Sequence, residues 1–196
     1  MSAIKKIVVI GPESTGKSTL CTLLAAHYNA LWCPEYAREY LLTHGIHYTY
    51  EDLLTIAEGQ LALEEKYVEL KVKSEARPAL QHNTQSAIRN LQSAIFIDTD
   101  MYVMKVWSEY VFKKCHPFIL EQIAARKYDL YLLCNIDLPW EEDVLREYPD
   151  EERRQELYSI YKNLLRNQST PWVEICGGYA ERLQKAVTAV NALLGK

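Results

Sequence analysis

The 196-residue sequence lacks the marks of several protein classes. Its five cysteines are odd in number, widely spaced and free of any Cys-x-x-Cys pair, which disfavours a disulfide framework or a zinc knuckle. It contains no dense run of lysine and arginine, and its net charge is −4, so we expect no nucleic-acid partner. No stretch approaches the roughly 20 apolar residues of a membrane span, so we expect no membrane partner either.

We also expect no targeting segment at the amino terminus. The apolar run from Ile7 to Ile10 is too short for the hydrophobic region of a signal peptide, and it leads directly into a glycine-containing loop. Unpaired cysteines suit a reducing compartment. We therefore predict a cytoplasmic protein, and a homo-oligomer is left as an open alternative.

Short apolar runs alternate with amphipathic segments along the chain. The runs end at glycine or polar residues and predict buried parallel strands, and the segments between them show helical spacing. Strands are predicted at residues 4–10, 31–33, 94–97, 129–134 and 172–176. Helices are predicted at residues 17–28, 35–44, 49–75, 101–114, 117–126, 140–168 and 179–194, with a loop or short helix at 76–93.

This alternation predicts an α/β fold. Strands that alternate with helices form a parallel sheet covered by helices on both faces. We expect one domain over residues 1–196 with a five-stranded parallel sheet. In such sheets, ligands bind at the carboxyl-terminal ends of the strands.

A phosphate-binding loop follows the first predicted strand. Residues 11–18 read Gly-Pro-Glu-Ser-Thr-Gly-Lys-Ser and match the pattern G-x-x-x-x-G-K-[ST] between a strand and a helix. The glycines let the backbone curl around a phosphate, which the inward N–H groups and the helix amino terminus bind. We expect Lys17 to reach the β- and γ-phosphates of ATP and Ser18 to bind Mg²⁺. The predicted nucleotide-binding residues are Gly11, Pro12, Glu13, Ser14, Thr15, Gly16, Lys17, Ser18 and Thr19.

A phosphate loop identifies a nucleotide and not a reaction. The sequence has no Asn-Lys-x-Asp segment for guanine and no Leu-Ser-Gly-Gly-Gln segment. It is also too short for an AAA+ module with a helical lid domain. Small kinases remain the natural class.

Carboxylates follow the second and third predicted strands. Asp98 ends an apolar strand, an arrangement that holds Mg²⁺ beside a phosphate loop. Asp100 is a candidate for Mg²⁺ or for a substrate hydroxyl, and helix capping is the alternative for both aspartates. Glu35 is predicted to orient or deprotonate an attacking hydroxyl, with a surface salt bridge as the alternative. Arg38 shares its helical face and pairs with Glu35, with a phosphate, or in a surface salt bridge.

Residues 139–156 form a predicted lid that carries arginines among many acidic residues. Arg146 and Arg154 are candidates to neutralise charge on a transferring phosphoryl group, and a solvated charged helix is the alternative. Four aromatic residues that follow strands two and three are candidates to stack on a flat base, with ordinary packing as the alternative: Tyr36, Tyr40, Trp107 and Tyr110.

Six segments, in order, resemble the NadR-type family of nicotinamide riboside kinases. They cover nearly the whole chain and are Gly11–Ser18, Glu35–Tyr40, Ala57–Gln60, Phe96–Asp100, His116–Phe118 and Leu138–Trp140 running to Arg146 and Arg154. The resemblance implies a P-loop kinase fold, ATP and Mg²⁺, and transfer of the γ-phosphate to the 5′-hydroxyl of a nucleoside. It places Lys17, Ser18 and Asp98 at the phosphates and metal, Arg146 and Arg154 on the lid, and Glu35 and Arg38 on the acceptor side.

Three departures from the family pattern bear on the acceptor. Residues 72–93 look like an insertion near the acceptor side, and Pro12 stands where the family often has glycine. The adenylyltransferase motif H-x-G-H of the bifunctional relatives is absent from the sequence, so the predicted role in NAD biosynthesis is the kinase step. An ATP-dependent regulatory module without a small-molecule acceptor stays as an alternative, as does a nucleic-acid end kinase, which the acidic balance disfavours.

Overall fold

A computed structural model describes residues 4–76 and 93–196 of the chain. Within these ranges, five parallel strands form one sheet in the order β2-β3-β1-β4-β5, which confirms the predicted fold. The strands are β1 (Lys5–Ile10), β2 (Leu31–Cys33), β3 (Ala94–Asp98), β4 (Leu130–Cys134) and β5 (Trp172–Ile175). The helices are α1 (Lys17–Tyr28), α2 (Tyr36–His44), α3 (Tyr50–Ala76), α4 (Met101–Phe112), α5 (Pro117–Ala125), α6 (Glu151–Arg166) and α7 (Tyr179–Leu194).

The predicted bounds of α1, β2 and α7 are confirmed without change, and most other elements differ only at their ends. Local signals explain this agreement. At the start of α3, for example, Thr49 N–H donates to Asp52 Oδ2 across 2.7 Å and Asp52 N–H donates to Thr49 Oγ1 across 3.2 Å. This reciprocal capping ends the preceding loop and begins the helix. None of the helices in the described ranges combines the length and apolar content needed to cross a membrane.

The central strand β1 is buried on both faces of the sheet. Ile7 and Val9 pack on one face, which α1 and α7 cover, and Val8 and Ile10 pack on the other, which α4 and α6 cover. Successive side chains of a strand point to opposite faces, so a strand covered on both sides reads as one continuous apolar run. The position of β1 in the centre of the sheet therefore explains the apolar run from Ile7 to Ile10.

The strand order brings three loops together at one edge of the sheet. In the register of β1 and β3, Val9 lies opposite Asp98, so the loop after β1 begins beside this carboxylate. On the other side of β3, Cys33 of β2 lies opposite Ile97. Glu35 follows β2 by two residues and therefore reaches the same edge.

The predicted helix over residues 140–168 is wrong in its first part. Residues 139–150, here called the covering loop, contain neither helix nor strand, and α6 begins at Glu151. Pro149 disfavours helical backbone at the residue before it. The side chain of Asp150 accepts a hydrogen bond from the Arg153 N–H and so caps the new helix. A loop or short helix was predicted at residues 76–93. Residues 77–92 of this segment lie outside the described ranges.

Candidate nucleotide and acceptor site

The phosphate loop between β1 and α1 adopts backbone conformations that suit glycine. The φ angle is 145° at Gly11 and 74° at Gly16, a region where a side chain is strained. A Cβ atom at Gly11 would also lie 2.7 Å from the carbonyl oxygen of Cys134 in β4. The loop packs directly against the end of the neighbouring strand, and only glycine fits there.

The amino terminus of α1 is open to an anion. Gly16 precedes the helix, and none of the described side chains caps its first N–H groups. Free N–H groups and the positive end of a helix bind phosphate. Lys17 and Thr15 both donate to the carbonyl oxygen of Pro12, across 2.9 and 2.8 Å, so the ammonium group lies across the loop beside the cavity that it lines.

Asp98 at the end of β3 is fully buried next to the phosphate loop. Burial and then the charge of Glu35 raise the pKa of its carboxyl, while Lys17 and a hydrogen bond from Ser18 lower it. Its Oδ2 atom has no hydrogen-bond partner among the described residues. A buried carboxylate oxygen without a partner, beside a serine hydroxyl, suits a magnesium ion. Asp98 and Ser18 therefore fit the metal that the sequence predicts.

Nucleotide phosphates would have to supply other ligands to such an ion. Residues 4–76 and 93–196 contain no group of three or more His, Cys, Asp or Glu side chains arranged to hold a metal. Mg²⁺ in sites of this kind is bound by one or two protein oxygens together with substrate phosphates and water.

Glu35 lies before the first residue of α2 and lines the cavity. Its Oε1 accepts a 3.4 Å hydrogen bond from the hydroxyl of Thr99, which directly follows Asp98. The same Thr99 hydroxyl lies 3.5 Å from Oδ1 of Asp98, so one hydroxyl group lies between the two carboxylates. One of them is buried beside the phosphate loop and the other faces the cavity.

The cavity extends from the phosphate loop to α2 and α4 and has a volume of about 220 Å³. Arg38 and Trp107, which were predicted to bind substrate, line it, and their contact with a substrate stays a prediction. Residues that no sequence motif indicated form much of its wall, which is aromatic and apolar and includes Leu41, Val106, Leu145, Tyr148, Leu157, Tyr161 and Tyr179, together with the predicted Tyr110. These residues come from five separate parts of the chain, so no local pattern identifies them as one surface.

Three other residues predicted to contact substrate, Asp100, Tyr36 and Tyr40, do not line this cavity. Asp100 is buried, and its Oδ1 accepts the Tyr102 N–H across 3.0 Å while its Oδ2 accepts the Tyr131 hydroxyl across 2.7 Å. Asp100 therefore caps α4, which was the alternative. The ring of Tyr36 packs on Gly59 of α3, where an added Cβ would lie 2.1 Å from a ring carbon. For Tyr36, too, packing replaces the predicted contact with a base.

Arg38 makes a salt bridge to the covering loop. Its Nη2 lies 2.8 Å from Oδ2 of Asp143, and this bond lowers the pKa of the Asp143 carboxyl. Pairing with Glu35, the first alternative, is replaced by this contact. Helix α2 and the covering loop are thus joined at the rim of the cavity.

The side chains of the phosphate loop hold the covering loop. Oε2 of Glu13 accepts the N–H groups of Glu147 and Tyr148 across 2.9 and 3.2 Å. Oγ of Ser14 accepts the N–H of Glu141 across 2.9 Å. Burial raises the pKa of the Glu13 carboxyl. The covering loop has no helix of its own because these side chains bind its backbone N–H groups.

The two predicted lid arginines differ in position. Arg146 lines the cavity, and its Nη1 donates to Ser14 Oγ across 3.4 Å and to the carbonyl oxygen of Glu141. Arg154 is buried and does not line the cavity, and its Nη2 donates to the carbonyl oxygens of Ser14 and Leu138 across 3.4 and 3.3 Å. Arg146 is placed to meet a phosphate, whereas Arg154 holds backbone. The catalytic role of either residue stays a prediction.

Arg182 was missed by sequence analysis and supports the phosphate loop. It is 2% exposed, and it donates to the carbonyl oxygens of Thr15, Asn135 and Gly177 across 2.9, 2.9 and 2.7 Å. It also pairs with the Asp137 carboxylate. A sequence signal did exist, because Arg182 precedes the buried Ala186 and Val190 by one and two helical turns on the same face of α7.

Three solved structures share this architecture. The crystal structure of NadR protein in complex with NR has a TM-score of 0.71 at 25% identity, covering 98% of this chain and 51% of that one. NadR in complex with NAD and AMP-PNP has a TM-score of 0.69 at 24% identity, covering 98% and 50%. Thymidylate kinase from Ehrlichia chaffeensis has a TM-score of 0.63 at 10% identity, covering 96% and 99%. These likenesses confirm the predicted P-loop kinase fold.

The sequence comparisons agree with the structural ones. The trifunctional NAD biosynthesis/regulator protein NadR of Escherichia coli (strain K12) is 26% identical over 198 residues, which cover 98% of this chain. This chain spans 43% of the length of that relative. The profile of a family described as an AAA domain matches residues 6–182. The chain belongs to this AAA domain family.

Proposed function

We propose that this protein is a kinase that transfers the γ-phosphate of ATP to the 5′-hydroxyl of a nucleoside. The observation that carries the proposal is the pair of neighbouring carboxylates, Asp98 and Glu35, which the Thr99 hydroxyl approaches to 3.5 and 3.4 Å beside the phosphate loop. A nucleotide site that only binds needs one carboxylate for a metal. A second carboxylate that faces an aromatic-lined cavity supplies a group that accepts a proton from a hydroxyl.

The donor half of the site consists of the phosphate loop and its surroundings. The N–H groups at the start of α1 and the ammonium of Lys17 bind the β- and γ-phosphates. Ser18 and Asp98 would hold Mg²⁺, which would neutralise charge on the same oxygens. Arg146 reaches the phosphate loop from the covering loop and adds a positive charge at the cavity. Phosphoryl transfer depends mainly on such positioning and electrostatic stabilisation.

The acceptor half lies between Glu35 and the aromatic wall. Trp107 and Tyr110 of α4 and Tyr161 of α6 present flat or amphipathic surfaces suited to a base. A nucleoside that stacks there directs its 5′-hydroxyl to Glu35, which orients the hydroxyl and takes its proton as the oxygen attacks phosphorus. The covering loop lies over both halves and excludes water, which would otherwise compete as the acceptor.

Nicotinamide riboside is the acceptor that we propose. NadR is described as an NAD biosynthesis and regulator protein, and a NadR structure contains NR. That structure matches 98% of this chain with a TM-score of 0.71. The product would be nicotinamide mononucleotide, formed as the 5′-oxygen–phosphorus bond forms and the bond to the leaving ADP breaks.

A nucleoside panel tests this proposal. ADP release is measured with Mg-ATP alone and with nicotinamide riboside, adenosine, cytidine, uridine or thymidine, and the product is identified by mass. We expect nicotinamide riboside to raise ADP release well above the ATP-only background. Its 5′-deoxy analogue is the matched control, because it keeps the base and lacks the attacking hydroxyl.

Two outcomes contradict the proposal. If no nucleoside raises ADP release, while wild-type protein binds ATP and Lys17→Ala does not, the chain is a nucleotide-binding module without a small-molecule acceptor. If another nucleoside is phosphorylated and nicotinamide riboside is not, the kinase assignment stands and the substrate assignment is wrong.

A further inference from the structure

Glu147 in the covering loop is bonded on two opposite sides. Its backbone N–H donates to Oε2 of Glu13 in the phosphate loop across 2.9 Å. Its own side-chain Oε2 accepts the hydroxyl of Tyr48, which precedes α3, across 3.0 Å. One residue therefore connects the phosphate loop to the segment that precedes α3.

The bond from Tyr48 continues to the aromatic wall. The Tyr48 hydroxyl oxygen accepts the indole N–H of Trp107 across 2.8 Å, and the two rings meet edge to face with centroids 4.8 Å apart. Tyr48 does not line the cavity, whereas Trp107 does. Since a hydroxyl has one proton, the direction of the chain is fixed as Trp107 to Tyr48 to Glu147. Burial raises the pKa of Tyr48, which keeps that proton in place.

Glu13 needs an explanation of its own, because a carboxylate in an anion-binding loop repels phosphate. The structure supplies one, since the carboxylate accepts two consecutive backbone N–H groups of the covering loop. Hydrogen bonds to an ionised acceptor are roughly twice as strong as neutral ones. The Glu13 side chain therefore binds protein, while the loop backbone is left for nucleotide.

We propose that Glu147 is a positioning residue that couples the two ends of the cavity. The path runs from the indole of Trp107 through Tyr48 and Glu147 to Glu13 beside the phosphates. Which end of the cavity holds the phosphate donor and which the acceptor rests on the proposed function, but the path itself does not. A ligand that fixes Trp107 also fixes the covering loop on the phosphate loop. Coupling of this kind is reciprocal, so a nucleotide also fixes the position of Trp107.

The test measures nucleotide affinity without any acceptor. Mg-AMP-PNP is titrated by calorimetry into wild-type protein and into Tyr48→Phe, which keeps the ring and removes the hydroxyl. We expect Tyr48→Phe to weaken binding about fivefold, at the lower end of typical coupling, although Tyr48 does not line the cavity. An affinity within about twofold of wild type, the error of such comparisons, overturns the proposal.

Tyr40→Phe is the matched control. The Tyr40 hydroxyl also donates to a carboxylate, Asp52 Oδ1, across 2.6 Å, but Asp52 belongs to α3 and not to the covering loop, and neither residue lines the cavity. The two variants lose the same chemical group in neighbouring parts of the chain. We expect Tyr40→Phe to keep wild-type nucleotide affinity, and an equal loss in both variants would mean a general structural effect and overturn the proposal.

A double-mutant cycle separates a coupled path from two independent defects. Glu147→Ala removes the carboxylate but keeps the backbone N–H that binds Glu13. Because Tyr48 and Glu147 share one bond, the double variant is expected to lose no more nucleotide affinity than Tyr48→Phe alone. Glu147→Gln keeps an oxygen that accepts the Tyr48 hydroxyl, so it is expected to lose less affinity than Glu147→Ala. Fully additive losses contradict the path.

Hydrogen exchange gives a direct measure at the far end of the path. The amides of Glu147 and Tyr148 are expected to exchange faster in Tyr48→Phe than in Tyr40→Phe when both hold Mg-AMP-PNP. Equal exchange rates overturn the proposal. None of these measurements uses a nucleoside, so failure of the kinase assignment would be visible separately, as absent acceptor-dependent ADP release.

Discussion

The guanidinium group of Arg182 donates a hydrogen bond to the carbonyl oxygen of Thr15 across 2.9 Å and so binds α7 to the phosphate loop. The same side chain reaches the carbonyl oxygens of Asn135 after β4 and Gly177 after β5. Three loops at one edge of the sheet are therefore held by a single planar group. Only a guanidinium has donors enough, in a fixed fork, to make all of these bonds at once.

We predict that Arg182→Lys destabilises the protein and weakens nucleotide binding. A lysine ammonium cannot replace the fork, so buried carbonyl oxygens and the Asp137 carboxylate lose partners, at a cost of about 3 kcal/mol. Urea unfolding and AMP-PNP titration measure the two effects. Arg153→Lys is the control, because this side chain is 58% exposed and its salt bridge contributes less than about 1 kcal/mol. Equal stability of the two variants would contradict the role of Arg182.

Asp98→Asn is expected to abolish turnover while ATP binding is largely kept. The amide keeps the size of the side chain but loses the charge that Mg²⁺ requires, so we expect turnover to fall at least about 100-fold. Steady-state rates over a range of Mg²⁺ concentrations, together with AMP-PNP affinity, test this. Near-normal turnover would remove Asp98 from the metal site.

Glu35→Gln separates chemistry from binding. Glutamine keeps the shape and can still accept a hydrogen bond, but it cannot take a proton from the attacking hydroxyl. We expect kcat to fall by about 100-fold or more with a modest change in KM for the nucleoside. If kcat is unchanged and KM rises, Glu35 only binds the substrate and positioning alone activates the hydroxyl.

Gly59→Ala tests the packing of Tyr36 on α3 through the sign of its effect. In an open helix position, replacing glycine by alanine stabilises by about 1 kcal/mol. Here the added Cβ would lie 2.1 Å from the Tyr36 ring, so we expect destabilisation by about 1–3 kcal/mol. Chemical unfolding measures the change. Adding Tyr36→Ala removes the clash, and Gly59→Ala should then cease to destabilise in that background.

The fold was predictable because its signals are local. The apolar run of β1, the glycine and lysine that begin α1, and the apolar stripe of α7 each lie within a few residues of the element that they determine. The covering loop shows the limit of such reasoning. Its charged, helix-like composition is overruled by Glu13 and Ser14, whose side chains bind its backbone N–H groups from more than 120 residues away.

The site was predictable where one motif holds several residues and less so elsewhere. The phosphate loop and Asp98 lie on adjacent strands, so strand order alone brings them together. Asp100 and Tyr36 follow the strands that lead to the site, but the Asp100 side chain caps α4 and the Tyr36 ring packs on Gly59 of α3. Tyr48 gave no signal in the sequence, because its partners Trp107 and Glu147 come from distant segments.

The irregular backbone of the covering loop has a practical consequence. Arg146 supplies a trypsin cleavage site in its middle, and a protease must draw several residues of extended chain into its active site before it can cut. Residues 139–150 can meet this demand without melting any helix, provided that their bonds to Glu13 and Ser14 break first. The rate of tryptic cleavage after Arg146 therefore reports how often the covering loop leaves the phosphate loop. This measurement requires no known substrate.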